Sequence, residues 1–193
     1  MSVLLSARKA FSPIRLEDAR ALLTAVPRPF KWNPLPATIH EIDLLKSILP
    51  SEIVTSVPLS PSLSKADAGS ASCADVLDHL PEAIILHLAC HGYHDLTNPL
   101  DSGFVMRDRI LTLTQLMELN LPNAFFAFLS ACETARGAEN QPDQAVHLAA
   151  TMLFTGFKSV IGTMWCVLPL FRLIDVLSVC TQVYGRCGWS HCC

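Results

Sequence analysis

The chain has 193 residues, which suits one domain with a single substantial core. Its 51% hydrophobic and 16% charged content excludes the polar, highly charged composition of a disordered chain. A net charge of −3 and a pI near 6.1 recommend neither a nucleic-acid nor an acidic-membrane partner.

In chain order, Met1 to Arg8 lacks the apolar core that follows the basic start of a signal peptide. Residues 1–36 carry Pro13, Pro27, Pro29, Pro34 and Pro36 with little periodicity, and read as an extended N-terminal segment. Ala37 to Leu49 reads as a helix, with Ile39, Ile42, Leu45 and Leu49 on one face and Glu41, Asp43 and Lys46 on the other. Pro50 stops it. Ile53, Val54 and Val57 point to a short strand, Pro58 to Gly69 is a Ser/Pro-rich loop, and Ser72 to His79 fits a short helix. Ala83 to Cys90 is a short, continuous apolar run, as expected of a strand buried on both faces of a parallel sheet. Gly103 to Arg107 and Arg109 to Leu113 read as a hairpin-like pair, and Thr114 to Glu118 as a short helix. Ala124 to Leu129 is a second buried strand. Gln144 to Thr155 is an apolar helix with Gly156 as its cap, and Ser159 to Thr163 is a third strand. Strands alternating with helices predict an α/β domain with a mostly parallel central sheet flanked by helices. No apolar run approaches the ~18 residues of a spanning helix. The nearest, Cys166 to Cys180, is broken by Pro169, Arg172 and Asp175.

Eight cysteines would make a disulfide scaffold in a secreted chain, but Cys180, Cys187, Cys192 and Cys193 crowd one tail while the others sit in apolar segments. The distribution fits free thiols in a reducing, cytoplasmic or nuclear compartment.

Both buried strands lead into reactive residues: the first into His91-Gly92, the second into Ser130-Ala131-Cys132. In open parallel sheets, functional residues gather at the carboxyl ends of strands. Neighbouring strands lie ~4.8 Å apart. If these two are adjacent and parallel, a thiol nucleophile and an imidazole acid/base emerge side by side. Their separation, 132 − 91 = 41 residues, compares with the ~50 residues between His and Cys in caspases. Gly92 would allow close backbone approach, and its N–H could hold an oxyanion together with that of Cys132. Taken alone, such a cysteine is more often a small core residue, and such a histidine a surface or satisfied one.

His87 through Gly92, Leu111 to Leu113, Phe128 through Ala135, Pro142 through Ala149 and Gly156 through Trp165 together closely resemble the CHAT domain, a family related to caspases and separases. The five ordered blocks fall between about Leu35 and Trp165, and place the domain at 37–166. The resemblance implies a caspase-like fold, a catalytic His91/Cys132 dyad and cysteine endopeptidase activity on protein or peptide substrates. It also implies a larger parent protein, in which a partner or an attached repeat domain regulates cleavage; similar fungal members follow tetratricopeptide repeats. Val167 to Cys193 departs from the family pattern, and is expected to be an atypical Cys-rich tail of other origin. The rival expectation is a non-enzymatic interaction module or an inactive relative.

Asp95, Asp101 and Asp143 are candidate acidic walls for a basic substrate side chain, or solvated loop residues. His87, Cys90, His91 and His94 match no structural zinc spacing, and no His-Glu-x-x-His motif occurs, so neither metal nor cofactor is expected. His87 reads as a core or supporting histidine and Cys90 as a packed small residue. Glu133 reads as a helix-start or network carboxylate, His147 as packing or capping, and Phe125, Phe126, Phe128 and Phe154 as core.

Overall fold

The computed structural model describes residues 2–6, 18–58, 69–95, 97–133 and 144–163, with the side chains of 18–58, 69–95, 97–131 and 148–162. Strands β1 (Ser2–Ser6), β2 (Ala21–Ala25), β3 (Val54–Val57), β4 (Ile85–Tyr93), β5 (Gly103–Val105), β6 (Ile110–Thr112), β7 (Phe126–Glu133) and β8 (Ser159–Thr163) join in one sheet. Its order is β1-β8-β7-β4-β2-β3, with β5 paired to β4 and β6 to β5. The pairings β3–β2, β2–β4, β4–β7 and β7–β8 are parallel; β1–β8, β4–β5 and β5–β6 are antiparallel. The result is a mixed α/β fold with a mixed sheet flanked by helices.

Helices α1 (Ala37–Ile48), α2 (Cys73–His79), α3 (Leu113–Met117) and α4 (Gln144–Phe154) divide between the two faces. Strand side chains alternate between faces. Leu86, Leu88 and Cys90 of β4 therefore join Ala127 and Leu129 of β7 in a core closed by Val76, Leu116, Leu148 and Met152 of α2, α3 and α4. Ile85 of β4 and Phe126 and Phe128 of β7 form the opposite core with Ile42 and Leu45 of α1.

Local sequence explains the helix starts. Ser72 accepts from the Asp75 N–H at 3.1 Å while its own N–H donates to Asp75 Oδ2 at 2.7 Å, a capping box that opens α2. Thr112 and Gln115 repeat the device for α3, both bonds at 3.3 Å. Gly156 follows α4 with φ +125°, and a Cβ there would stand 2.4 Å from the Leu121 carbonyl oxygen. Only glycine permits both the turn and that approach.

Several expectations require correction. The supposedly irregular residues 1–36 contain two strands, and β2 lies inside the sheet between β4 and β3. The buried stripe of α1 is rotated from the expected one: Ile39 is 41% exposed, whereas Glu41 is buried with Ile42 and Leu45. Burial of Glu41 follows from its partner, since Nε2 of buried His87 lies 3.0 Å from Glu41 Oε1. Phe154 is not core; it is 81% exposed at the end of α4, while Phe125, Phe126 and Phe128 are buried. Glu133 ends β7 instead of starting a helix. The Cys-rich tail lies outside the described residues, as does the His147 side chain.

Candidate functional site

Strands β4 and β7 run parallel as neighbours, and both extend further than their apolar runs indicated. His91 and Cys132 thus lie within strand, close to the carboxyl ends, instead of just beyond them. Register pairs Ile85 with Phe126 and continues without a slip to His91 with Cys132 and Gly92 with Glu133. Two potentially reactive residues far apart in sequence therefore stand at the same level of adjacent strands. The Cys132 side chain is outside the described residues; its backbone position is not.

His91 is 1% exposed. Nε2 of its ring lies 2.8 Å from the main-chain oxygen of Asn33. A carbonyl oxygen only accepts, so Nε2 carries the hydrogen of this bond and donates it. In the neutral ring Nδ1 is then the nitrogen without a hydrogen. Asn33 belongs to the loop that leaves β2, which is tied down by Val26 N–H to Ala89 O, Phe30 N–H to Met106 O and Leu35 N–H to Pro27 O. Within that loop Lys31 adopts φ +57°, an uncommon conformation for a residue with a side chain. Next to it Trp32 lies against the imidazole, ring centroids 5.4 Å apart and planes 36° from parallel. Tyr93 meets the same indole edge-on at 6.2 Å.

Gly92 is buried, and a Cβ at this position would lie 3.3 Å from Leu148 Cδ1 on α4. Its bare backbone thus serves tight helix–sheet packing on the face opposite α1. Cys90, one residue before His91, is buried in the α2–α4 core. His87 lies on the α1 face, stacked on Phe128 at 5.2 Å and 5° and paired with Glu41. The two side chains that might suggest a shared metal site thus occupy opposite faces. Among the described residues no group of three or more His, Cys, Asp or Glu side chains is placed to hold a metal ion.

Asp95 organises the loop after β4. Its Oδ1 accepts from the N–H groups of Thr97 at 2.8 Å and Asn98 at 2.9 Å, and its Oδ2 from the Tyr93 hydroxyl at 3.2 Å. The Asn98 and Thr97 amides hold its carboxyl below the usual range, and the Tyr93 hydroxyl adds to this. Burial, then the charge of Asp95, pushes the Tyr93 phenol up. Asp101 is exposed and accepts from the Asn98 side chain at 2.8 Å. Asp143 lies outside the described residues. A cavity of 380 Å³ lined by Met117, Leu121, Pro122, Phe154 and Lys158 adjoins the opposite ends of β7 and β8, away from His91.

Sequence reading missed Trp32, Asn33 and Glu41. Asn33 acts through its carbonyl, which any residue possesses, so its identity carries no signal. Trp32 stands among prolines in a segment without periodicity. Glu41 could have been found by asking what satisfies a histidine in the middle of an apolar strand.

The CHAT domain family model matches residues 2–169. It therefore reaches well upstream of Leu35 and takes in β1, β2 and the Trp32–Asn33 loop. A search of curated proteins finds no match. No described helix is long and apolar enough to cross a membrane.

Proposed function

The chain belongs to the CHAT domain family, related to caspase-like peptidases, and on that premise we propose that it is a cysteine endopeptidase acting through His91 and Cys132. The observation that carries the reading is the register that pairs these residues on adjacent parallel strands. The four contiguous parallel pairings that run from β3 to β8 fit a caspase-like arrangement.

In the proposed reaction the Cys132 thiolate attacks the scissile carbonyl carbon. A C–S bond forms, and the carbonyl electrons move to oxygen, where the Gly92 and Cys132 N–H groups hold the oxyanion. Collapse breaks the C–N bond as His91 delivers a proton from Nδ1 to the departing amine. Water then attacks the thioester carbonyl and loses a proton to Nδ1; collapse breaks the C–S bond, releasing the acid product and the Cys132 thiolate beside the reprotonated ring. Throughout, the Asn33 carbonyl accepts from Nε2–H, which holds the ring's tautomer and orientation and supports the imidazolium.

Asp95, Asp101 and Asp143 would favour a basic residue before the cut. Asp95 already uses both oxygens in its own loop, so exposed Asp101 is the better placed of the described pair. A reducing intracellular compartment suits a reactive thiol, and regulation by a partner or attached repeat domain suits a general acid that is 1% exposed. That same burial favours the second reading, a non-enzymatic interaction module.

Labelling with a peptidyl acyloxymethyl ketone, which alkylates an activated catalytic thiol, tests the proposal. We expect modification at Cys132 that disappears in His91→Ala. Labelling spread over exposed cysteines, or unchanged by that substitution, would refute the dyad.

A further inference from the structure

We infer that Trp32 is a positioning residue for His91, holding the ring against the Asn33 carbonyl and favouring its protonated form through the indole face. The inference rests on the dyad proposed above and assigns a residue to its regulation by neighbours.

The indole centroid is 5.4 Å from that of His91, inside the ~6 Å over which an aromatic face attracts a cation. Trp32 is also the residue immediately before Asn33, whose carbonyl oxygen accepts a hydrogen bond from Nε2–H with N···O at 2.8 Å. One short stretch of loop therefore supplies both an aromatic contact and a hydrogen-bond acceptor to the same imidazole. Each favours a cationic ring: the carbonyl through its dipole, the indole through its quadrupole. Burial of His91 opposes charge on the ring and strengthens both interactions, because little water screens them.

The loop is built to hold Trp32 there. Lys31 takes φ +57° just before it, the Phe30 N–H is anchored to the Met106 carbonyl at 2.9 Å, and Tyr93 braces the indole edge-on at 84°. Tyr93 is in turn tied to Asp95 at 3.2 Å. Among the described residues, the titratable or charged groups near His91 in the chain or next to Trp32 are Tyr93 at the end of β4, His94 and Asp95 just beyond it, and Lys31 in the loop. Cys132 and Glu133 stand at the facing β7 positions, and His87 with Glu41 lies further down the strand. Lys31 places its ammonium 4.7 Å over the Phe30 ring.

A protonated His91 stabilises the Cys132 thiolate, so the readout is Cys132 alkylation by iodoacetamide against pH, resolved by peptide mass spectrometry on the full chain. Wild type should react at Cys132 at pH 6, and His91→Ala should lose that low-pH reactivity. Trp32→Leu should slow the pH 6 reaction about three- to tenfold and move the profile to higher pH, while Trp32→Phe, which keeps an aromatic face, should slow it less. Thermal melting identifies a variant that fails to fold; if Trp32→Leu does, the shift in Trp32→Phe decides. Folded Trp32 variants with the wild-type profile overturn the inference while leaving the dyad standing. A wild-type profile already equal to that of His91→Ala overturns the dyad and the inference together.

Discussion

Thr24 sits fully buried on β2, and its hydroxyl has no hydrogen-bond partner among the described residues. A buried polar atom left in this state costs about 1–3 kcal/mol. Thr24→Val keeps the branched shape and removes the group, so it should leave stability unchanged or raise it by about 1 kcal/mol, read as a higher melting temperature. Cys73 offers a contrast with the proposed nucleophile. Burial first, then the charge of Asp108, pushes its thiol from 9.0 up to about 12. In the folded protein it should resist iodoacetamide at pH 8. The sign of its effect on stability follows from linkage: the folded chain holds this proton more tightly than the unfolded one. Its contribution is therefore complete below pH 9.0 and is lost as pH rises toward about 12. Denaturant titrations between those values should show a steeper loss of stability in wild type than in Cys73→Ala.

At the scale of elements, two features decide where chains pack. The Glu41–His87 pair joins α1 to the centre of the sheet at 3.0 Å, with both side chains nearly inaccessible. Glu41→Ala leaves His87 without its carboxylate partner and should cost about 1–3 kcal/mol in urea denaturation. Replacing both, as Glu41→Leu with His87→Phe, should recover most of that loss, because a buried polar pair exchanged for packed apolar groups is often neutral. Gly156→Ala should destabilise by more than about 1 kcal/mol, since the added Cβ meets the Leu121 carbonyl at 2.4 Å in an unfavourable φ. The element scale also marks how far the sequence could be read. The β4 and β7 runs were legible because strands buried on both faces need uninterrupted apolar residues. By contrast, β2 is Ala-Leu-Leu-Thr-Ala, poor in β-branched residues and followed closely by Pro27 and Pro29, so local preference concealed an interior strand. The rotation of α1 was hidden for a different reason. Glu41 looks like a solvent-facing residue until the histidine on another element is known to need it.

For the whole molecule, what escaped the sequence was long-range. Nothing local announces that β1 closes onto β8, pairing Ser2 with Thr163, or that the loop after β2 returns its Asn33 carbonyl to His91. The His91 and Cys132 pairing was legible only as a conditional statement: two strand ends, adjacent if the strands were neighbours and parallel. Register meets that condition for the backbone, and the chain belongs to a family related to caspase-like peptidases. The catalytic dyad and its endopeptidase activity are the proposal, and the arrangement makes a definite demand on it. Removing either partner should abolish turnover, since nucleophile and acid/base act as a unit, and losses of about 10²–10⁴ are usual for a general acid/base alone.

The most direct test is incubation of the full chain with a proteome-derived peptide library, alone and with cell extract as a source of activating partner, followed by mass-spectrometric mapping of new termini. Wild type is expected to produce a defined set of cleavages, absent from both Cys132→Ala and His91→Ala. Cleavage that persists in Cys132→Ala, or a wild-type chain that cuts nothing under either condition, would contradict the account.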